Sequence, residues 1–360
     1  MYDRNVVNFS AGPSVLPEEV LLRCRDELLN YNNTGMSVME MSHRSAAFMD
    51  IYYGAKQKLR DVMGIPEDYD ILFLQGGATL MFASIPMNLL VNGTADYALT
   101  GVFSTNAYNE ASKYGKVSVA YDGKPSGFSV IPRQSELMLN KGAEYFYYCD
   151  NNTIYGTQWK YVPETSGYLV CDMSSDILSK PVDVSKYGLI YAGAQKNMAP
   201  AGLTVAIVKK SLLGKEMPIT PTVMNYKLLS EKESMINTPP CWCIYVLSLV
   251  LDWIIEQGGV NEMKIRSEER SSLLYDYLDN SRLFHGCAEA ESRSPMNITF
   301  RTGDDNLDKE FIAEATKAGI VNVKGHRIAG GMRASLYNAM TVDGVRKLIT
   351  CMKEFEKNHV

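Results

Sequence analysis

The stretch Leu189-Ile190-Tyr191-Ala192-Gly193-Ala194-Gln195-Lys196-Asn197 decides the fold. An apolar run gives way to small residues and then to a lysine, and 24 residues before that lysine Asp172 closes another apolar run, Tyr168-Leu169-Val170-Cys171. Short apolar runs bounded by glycine and polar residues read as buried strands. Two such strands side by side would bring an amine and a carboxylate to one edge of a sheet.

Outward from that stretch the same pattern recurs. Apolar runs at 70–74, 95–99, 117–120, 143–149, 168–172, 188–192 and 203–208 alternate with helical or turn segments, among them 46–63, closed by Gly64 and Pro66, and 104–113. This alternation predicts an α/β fold, a mainly parallel sheet flanked by helices, with ligands outside the carboxyl ends of the strands. Ahead of it, Phe9 to Pro17 is a turn-rich arm, and Pro17-Glu18-Glu19 opens a helix expected to run to about residue 31.

The character changes after Pro218-Ile219-Thr220-Pro221. A polar loop and Asn237-Thr238-Pro239-Pro240 precede a long apolar helix that Gly258-Gly259 ends. An amphipathic helix at 260–278, strand patterns at 296–300 and 320–323, and helix patterns at 308–318 and 341–357 then predict a smaller C-terminal α+β domain. The expected division is an N-terminal arm 1–15, a large domain 16–258 and a small domain 259–360, which suits a chain of 360 residues.

Composition excludes several classes. A net charge of -5 with 21% charged residues offers no general attraction to nucleic acid or anionic lipid, so any anion must be held by a local cluster. The seven cysteines are odd in number and mostly in apolar contexts, and they read as reduced core thiols. Cys241-Trp242-Cys243 has no second pair or spaced histidine, so no metal site is expected. The opening residues lack the charged and then apolar blocks of a signal peptide, and the most apolar window, 241–255, is short for a bilayer and carries Asp252. The expected location is the cytoplasm, with no membrane and no nucleic-acid partner.

Lys196 and Asp172 together fit one cofactor chemistry. Pyridoxal 5'-phosphate needs an amine to form a Schiff base and a carboxylate to keep its pyridine nitrogen protonated. The small residues around Lys196 would let a planar cofactor approach the backbone, and a desolvated lysine near other cations can act as nucleophile and then base. Gly76-Gly77-Ala78-Thr79 follows a strand and opens a helix, a phosphate site of backbone N–H groups that is neither a Walker loop nor a dinucleotide fingerprint.

Five cations complete the set: His43-Arg44, His326-Arg327 and Arg333, the last in Gly330-Gly331-Met332-Arg333-Ala334-Ser335. Arginine presents a planar fork suited to carboxylate and phosphate. An unpaired charge in a closed site costs about 3–5 kcal/mol, so convergence of these residues would call for a substrate with two acidic groups.

These motifs carry a resemblance. Asn8-Phe9-Ser10-Ala11-Gly12-Pro13, Ser37-Val38-Met39-Glu40-Met41-Ser42-His43-Arg44, Ile190 to Asn197, Asn237 to Pro240, Lys324 to Arg327 and Gly330 to Ser335 stand in the order of the phosphoserine aminotransferases, a class-V aminotransferase family, which the chain resembles over essentially its full length. The resemblance implies the type I pyridoxal phosphate fold and a homodimer with active sites at the subunit interface. It implies that Lys196 forms the Schiff base and Asp172 pairs with the pyridine nitrogen. Phe103 would lie against the ring and Thr153 would meet its hydroxyl side. Ala78, Thr79 and Gln195 would contact the cofactor phosphate, with Asn237 and Thr238 reaching it from the partner subunit. Arg333 would take the substrate α-carboxylate, leaving His43, Arg44, His326 and Arg327 for the distal phosphate or carboxylate. Phe103 stands where many members have tryptophan, Thr79 where one branch has arginine, and Ala11 where some have serine.

The expected reaction is amino transfer from glutamate to 3-phosphohydroxypyruvate, giving phosphoserine and 2-oxoglutarate, with phosphorylated hydroxythreonine in vitamin B6 synthesis as a further possible substrate. Another type I enzyme, such as an alanine–glyoxylate aminotransferase or a cysteine desulfurase, would not need two His-Arg pairs; a desulfurase would be expected to carry histidine where Gln195 stands. A non-catalytic phosphometabolite-binding protein would stay colourless with added cofactor.

Overall fold

A computed structural model of the chain describes residues 5–91 and 93–360, so residues 1–4 of the expected arm lie outside the described residues. The centre is a seven-stranded sheet of β1 (Tyr69–Leu74), β2 (Thr94–Leu99), β3 (Lys116–Asp122), β4 (Tyr145–Cys149), β5 (Tyr168–Asp172), β6 (Leu189–Gly193) and β7 (Thr204–Lys209), in the spatial order β1-β7-β6-β5-β4-β2-β3. Neighbours from β6 through β3 are parallel. β7 alone runs antiparallel to both its neighbours, β1 and β6, so β1 points the same way as β6. The carboxyl ends of β1, β2, β4, β5 and β6 therefore share one edge.

Side chains alternate between the two faces of this sheet, as the period of a strand dictates. Ile71, Phe73, Phe146, Tyr148, Cys171, Ile190 and Val205 enter a core with helices α2 (Ala46–Met63) and α5 (Cys241–Glu256). Leu72, Leu74, Tyr97, Tyr147, Val170 and Tyr191 enter a second core beneath α3 (Gly77–Leu89) and α4 (Val102–Ala111). Both faces being covered explains why the strands read as continuous apolar runs. In α2 the Ser45 hydroxyl caps the Phe48 N–H, Phe48, Ile51, Tyr52, Ala55, Leu59 and Met63 form one buried stripe, and Gly64 ends the helix at φ 62°.

The first helix is shorter than its sequence pattern: α1 covers Glu18–Asp26 and stops well before residue 31. Asn32 and Asn33 turn the chain at φ 44° and 59°, and the Asn30 amide oxygen accepts the Gly35 N–H at 2.7 Å. Asparagine competes for backbone hydrogen bonds and tolerates the left-handed region, so the helix does not continue to residue 31.

Beyond α6 (Gly259–Asn280), β8 (His285–Gly286), β9 (Asn297–Arg301) and β10 (Met332–Ser335) form a three-stranded antiparallel sheet, with α7 (Asp305–Lys317) and α8 (Val342–His359) packed on it. A third core, with Phe284, Phe300, Phe311, Leu348 and Phe355, lies between them. Phe9 joins that core, and Val7–Asn8 pairs in parallel with Ile320–Val321. Among the described residues no single helix is long and apolar enough to cross a membrane; only α5 and α6 together meet that length and composition, bent by 80°, and α5 is largely buried.

Candidate active site

The chain leaves β1 through Gln75 and enters α3 through Gly76 and Gly77, at φ 90° and 66°. A Cβ on Gly76 would fall 2.6 Å from the Leu80 side chain, so the tight entry requires glycine on two counts. Ala78 is half-buried and Thr79 exposed in the first turn of α3, where backbone N–H groups have no partner within the helix. The Gln75 amide donates to the Thr238 carbonyl at 2.9 Å, which brings the exposed pair Asn237 and Thr238 of the same chain to this helix start.

Lys196 follows the end of β6 and is half-buried. Its Nζ donates to Thr153 Oγ1 at 2.6 Å and stands 5.7 Å from the centre of the Phe103 ring, which is 36% exposed and so leaves a face open to a ligand. Thr153 comes from the hairpin after β4, and Phe103 from the first turn of α4 after β2. The arm covers the lysine from the other side. Ser14 N–H donates to the Gln195 carbonyl at 3.0 Å, the Ser14 hydroxyl donates to the Lys196 carbonyl, and a Cβ on Gly12 would come within 3.3 Å of Lys196 Cγ. Gly12 also has φ 141°, so a side chain is excluded by conformation as well. Gln195 is half-buried and lies against Gly193.

Asp172 ends β5, in register with Tyr191 of β6 and only 4% exposed. One carboxylate oxygen accepts the Ser174 N–H at 2.8 Å and the other accepts the Tyr191 hydroxyl at 3.0 Å. The buried Cys149 thiol registers the same surroundings: burial and then the Asp172 charge raise its pKa, while Lys196 opposes them.

Arg333 lies on β10 and reaches across, its Nη1 donating to the Thr153 carbonyl at 3.1 Å. Burial lowers its pKa, and among the described residues it has no carboxylate partner. His326 is half-buried, its pKa lowered by burial, then by Arg333, then by Arg327. Arg333 thus reaches the residue that holds the lysine, with His326 and the exposed Arg327 as basic neighbours, and none of the three has a carboxylate partner among the described residues. His43 and Arg44 lie on the turn before α2, and within one chain their side chains form no hydrogen bond or ion pair with this group.

The residues fit pyridoxal phosphate. An amine and a carboxylate stand at adjacent strand ends, an aromatic face lies beside the amine, a helix start offers free N–H groups, and glycine at position 12 leaves room next to Lys196. Sequence reading did not single out Ser14, Tyr191 or Tyr337, whose hydroxyl donates to the Ala11 carbonyl at 2.8 Å. Their roles depend on contacts between distant segments, and a serine or tyrosine in its own stretch carries no such signal.

The sequence model of the family described as "Aminotransferase class-V" matches residues 6–348. The chain is 51% identical over 358 residues to a phosphoserine aminotransferase of Pseudomonas fluorescens, covering 99% of both chains. Among solved structures, the phosphoserine aminotransferase of Bacillus circulans subsp. alkalophilus superposes with a TM-score of 0.97 at 42% identity, covering 99% of each chain. The phosphoserine aminotransferase of Trichomonas vaginalis, solved with pyridoxal phosphate bound, gives 0.93 at 35% identity, covering 97% of this chain and 99% of that one.

Proposed function

We propose that this chain, which belongs to the class-V aminotransferase family, transfers an amino group from glutamate to 3-phosphohydroxypyruvate, giving phosphoserine and 2-oxoglutarate for serine biosynthesis. One observation carries the substrate: Arg333 has no carboxylate partner among the described residues, is bonded to the residue that holds Lys196, and has His326 and then Arg327 as its basic neighbours. Surplus positive charge in a half-buried site suits a ligand with two acidic groups.

Pyridoxal phosphate, when bound, supplies an aldehyde for an amine and a pyridine ring that draws electron density from the substrate α-carbon. Lys196 would be the amine for that aldehyde, and its Nζ would hold and move the substrate α-proton. Asp172 would keep the ring nitrogen protonated, Phe103 would face the ring, and Thr153, which already holds the lysine, would serve the ring hydroxyl. Ala78, Thr79 and Gln195 bind the cofactor phosphate, with Asn237 and Thr238 of a second copy in a homodimer. Arg333 takes the α-carboxylate, while His326 and Arg327, with His43 and Arg44, take the donor's side-chain carboxylate or the acceptor's phosphate. The working division is an arm 1–15, a cofactor domain 16–258 and a small domain 259–360 that carries Arg333, in a cytoplasmic enzyme.

Rates with phosphoserine and with alanine as amino donors, each with 2-oxoglutarate, test the reading. Phosphoserine should be strongly preferred; preference for alanine overturns the anion-pocket assignment. Lys196→Ala should abolish turnover, and full turnover in that variant overturns the role of the lysine.

A further inference from the structure

Asp172 is hydrogen-bonded from below by a chain of phenols that the transamination mechanism does not use. Tyr191, its registered neighbour on β6, donates to Asp172 Oδ2 at 3.0 Å, and the Tyr147 hydroxyl of β4 lies 2.8 Å from that of Tyr191. Tyr147 stacks on Tyr97 of β2 with ring centres 4.9 Å apart and planes at 25°. Tyr147 and Tyr191 are almost completely buried.

The direction of this chain follows from donor arithmetic. An ionised carboxylate only accepts, so the single phenolic proton of Tyr191 is used on Asp172. The Tyr147–Tyr191 bond must then run from Tyr147 to Tyr191. Burial, and next the Asp172 charge, raise the pKa of both phenols well above ordinary tyrosine, so both keep their protons. A phenol that is itself hydrogen-bonded is a stronger donor, and bonds to a charged acceptor are stronger than neutral ones.

We infer that Tyr191, polarised by Tyr147, is a positioning residue that keeps the Asp172 carboxylate ionised, and so keeps the proton on the pyridine nitrogen of the cofactor rather than on Asp172. A carboxylate and a pyridinium buried together can relax to a neutral pair by moving one proton, and burial favours that neutral pair. Donors to the carboxylate oppose the transfer. The Ser174 N–H supplies one and Tyr191 the other. Removing the phenol leaves Asp172 Oδ2 without this donor, and the balance shifts toward the neutral pair.

This inference rests on the cofactor reading above, and the test separates the two. Holoenzyme is prepared with pyridoxal phosphate labelled with nitrogen-15 in the ring, as wild type, Tyr191→Phe and Tyr147→Phe, and the ring-nitrogen resonance is recorded at one pH. Phenylalanine preserves ring packing, so a merely structural tyrosine would leave the resonance in place. Wild type should show a protonated ring nitrogen. In Tyr191→Phe the ratio of protonated to unprotonated nitrogen should fall about tenfold, the equivalent of one charge-assisted hydrogen bond. In Tyr147→Phe it should fall roughly twofold, in the same direction, because that bond acts through Tyr191. If Tyr191→Phe fails to fold, Tyr147→Phe carries the test alone. A protonated nitrogen unchanged in both variants overturns the inference and leaves the functional reading intact; wild type that takes up no cofactor overturns both.

Discussion

Lys196 and Arg333 meet on one residue: the lysine amine donates to the Thr153 hydroxyl at 2.6 Å, and the Arg333 guanidinium donates to the Thr153 carbonyl at 3.1 Å. An α-amino acid carries its amine and its carboxylate on a single carbon, so groups that handle the two must be held at close and fixed spacing. The hairpin after β4 sets that spacing between a lysine of the large sheet and an arginine of the small one.

Thr153→Val removes the acceptor of the lysine amine while keeping a β-branched side chain. Turnover with phosphoserine should fall about a hundredfold, the lower end of the range for a lost positioned proton-transfer contact. Thr153→Ser should restore most of it. Steady-state rates of the two variants give the answer, and equal rates would remove the hydroxyl from the mechanism.

Arg333→Met should separate function from stability. The guanidinium is held in the fold without a carboxylate, so an apolar replacement of similar length should leave the melting temperature unchanged or raise it by a few degrees. kcat/KM should fall at least about a hundredfold, as expected for a lost charge-assisted pair. Thermal unfolding and steady-state kinetics on the same preparation check both halves.

Gly325 precedes His326 at a point where the chain folds back on itself, and a Cβ there would lie 2.0 Å from the Gly330 carbonyl oxygen. Backbone cannot yield as a flexible side chain can. Gly325→Ala should displace the His326–Arg327 turn, raising KM for phosphoserine more than about tenfold while cofactor uptake stays normal. Parallel titrations of cofactor and substrate distinguish this from general unfolding.

His326 gives the site a pH dependence. Burial and the neighbouring Arg333 and Arg327 hold its pKa below the ordinary value of 6.5, so it is neutral near pH 7 and gains charge only as pH falls through that lowered value. Added charge favours an acidic ligand. KM for glutamate, whose carboxylates stay ionised in this range, should therefore fall as pH is lowered below about 6.5, and His326→Asn should lose that component of the profile.

Asp176 affects stability rather than catalysis. Burial, and next the charge of Asp150, hold its carboxyl well above the usual carboxylate range, while Lys180 bonds Asp150 at 2.6 Å. Above about pH 3.9 the unfolded chain has released this proton and the fold retains it, so rising pH costs the fold up to about 1.4 kcal/mol per unit until the folded-state pKa is passed. Asp176→Asn removes that slope. Its stability relative to wild type should increase from pH 5 to pH 7 in denaturant titrations, and a constant difference would refute the assignment.

The strand interiors were legible because both faces of the sheet are covered, which leaves runs such as Tyr168–Asp172 apolar throughout. The ends drifted by a residue or two, as at Leu189–Gly193, where hydrogen bonding rather than composition sets the limit. The antiparallel insertion of Thr204–Lys209 between β1 and β6 was not legible, since strand order is a non-local property. Lys196 and Asp172 stood out because charge at the end of an apolar run has few bland explanations. Tyr191 did not, because a tyrosine within such a run reads as core and only the register with Asp172 gives its hydroxyl a target. His43 and Arg44 were marked by their motif, yet within one chain their side chains form no hydrogen bond or ion pair with Lys196 or Arg333.

The arm has a consequence for the order in which this molecule can be made. Val7 and Asn8 find their strand partners at Ile320 and Val321, and Gly12 and Ser14 of the same arm pack on Lys196. A ribosome releases the arm first and its seat near the end. Until residues 320 and 321 have emerged, the arm lacks the strand partners that anchor its first residues. The strand pairing that anchors the cover of the reactive lysine thus joins residues from opposite ends of the molecule's synthesis, and is complete only when nearly the whole polypeptide has emerged.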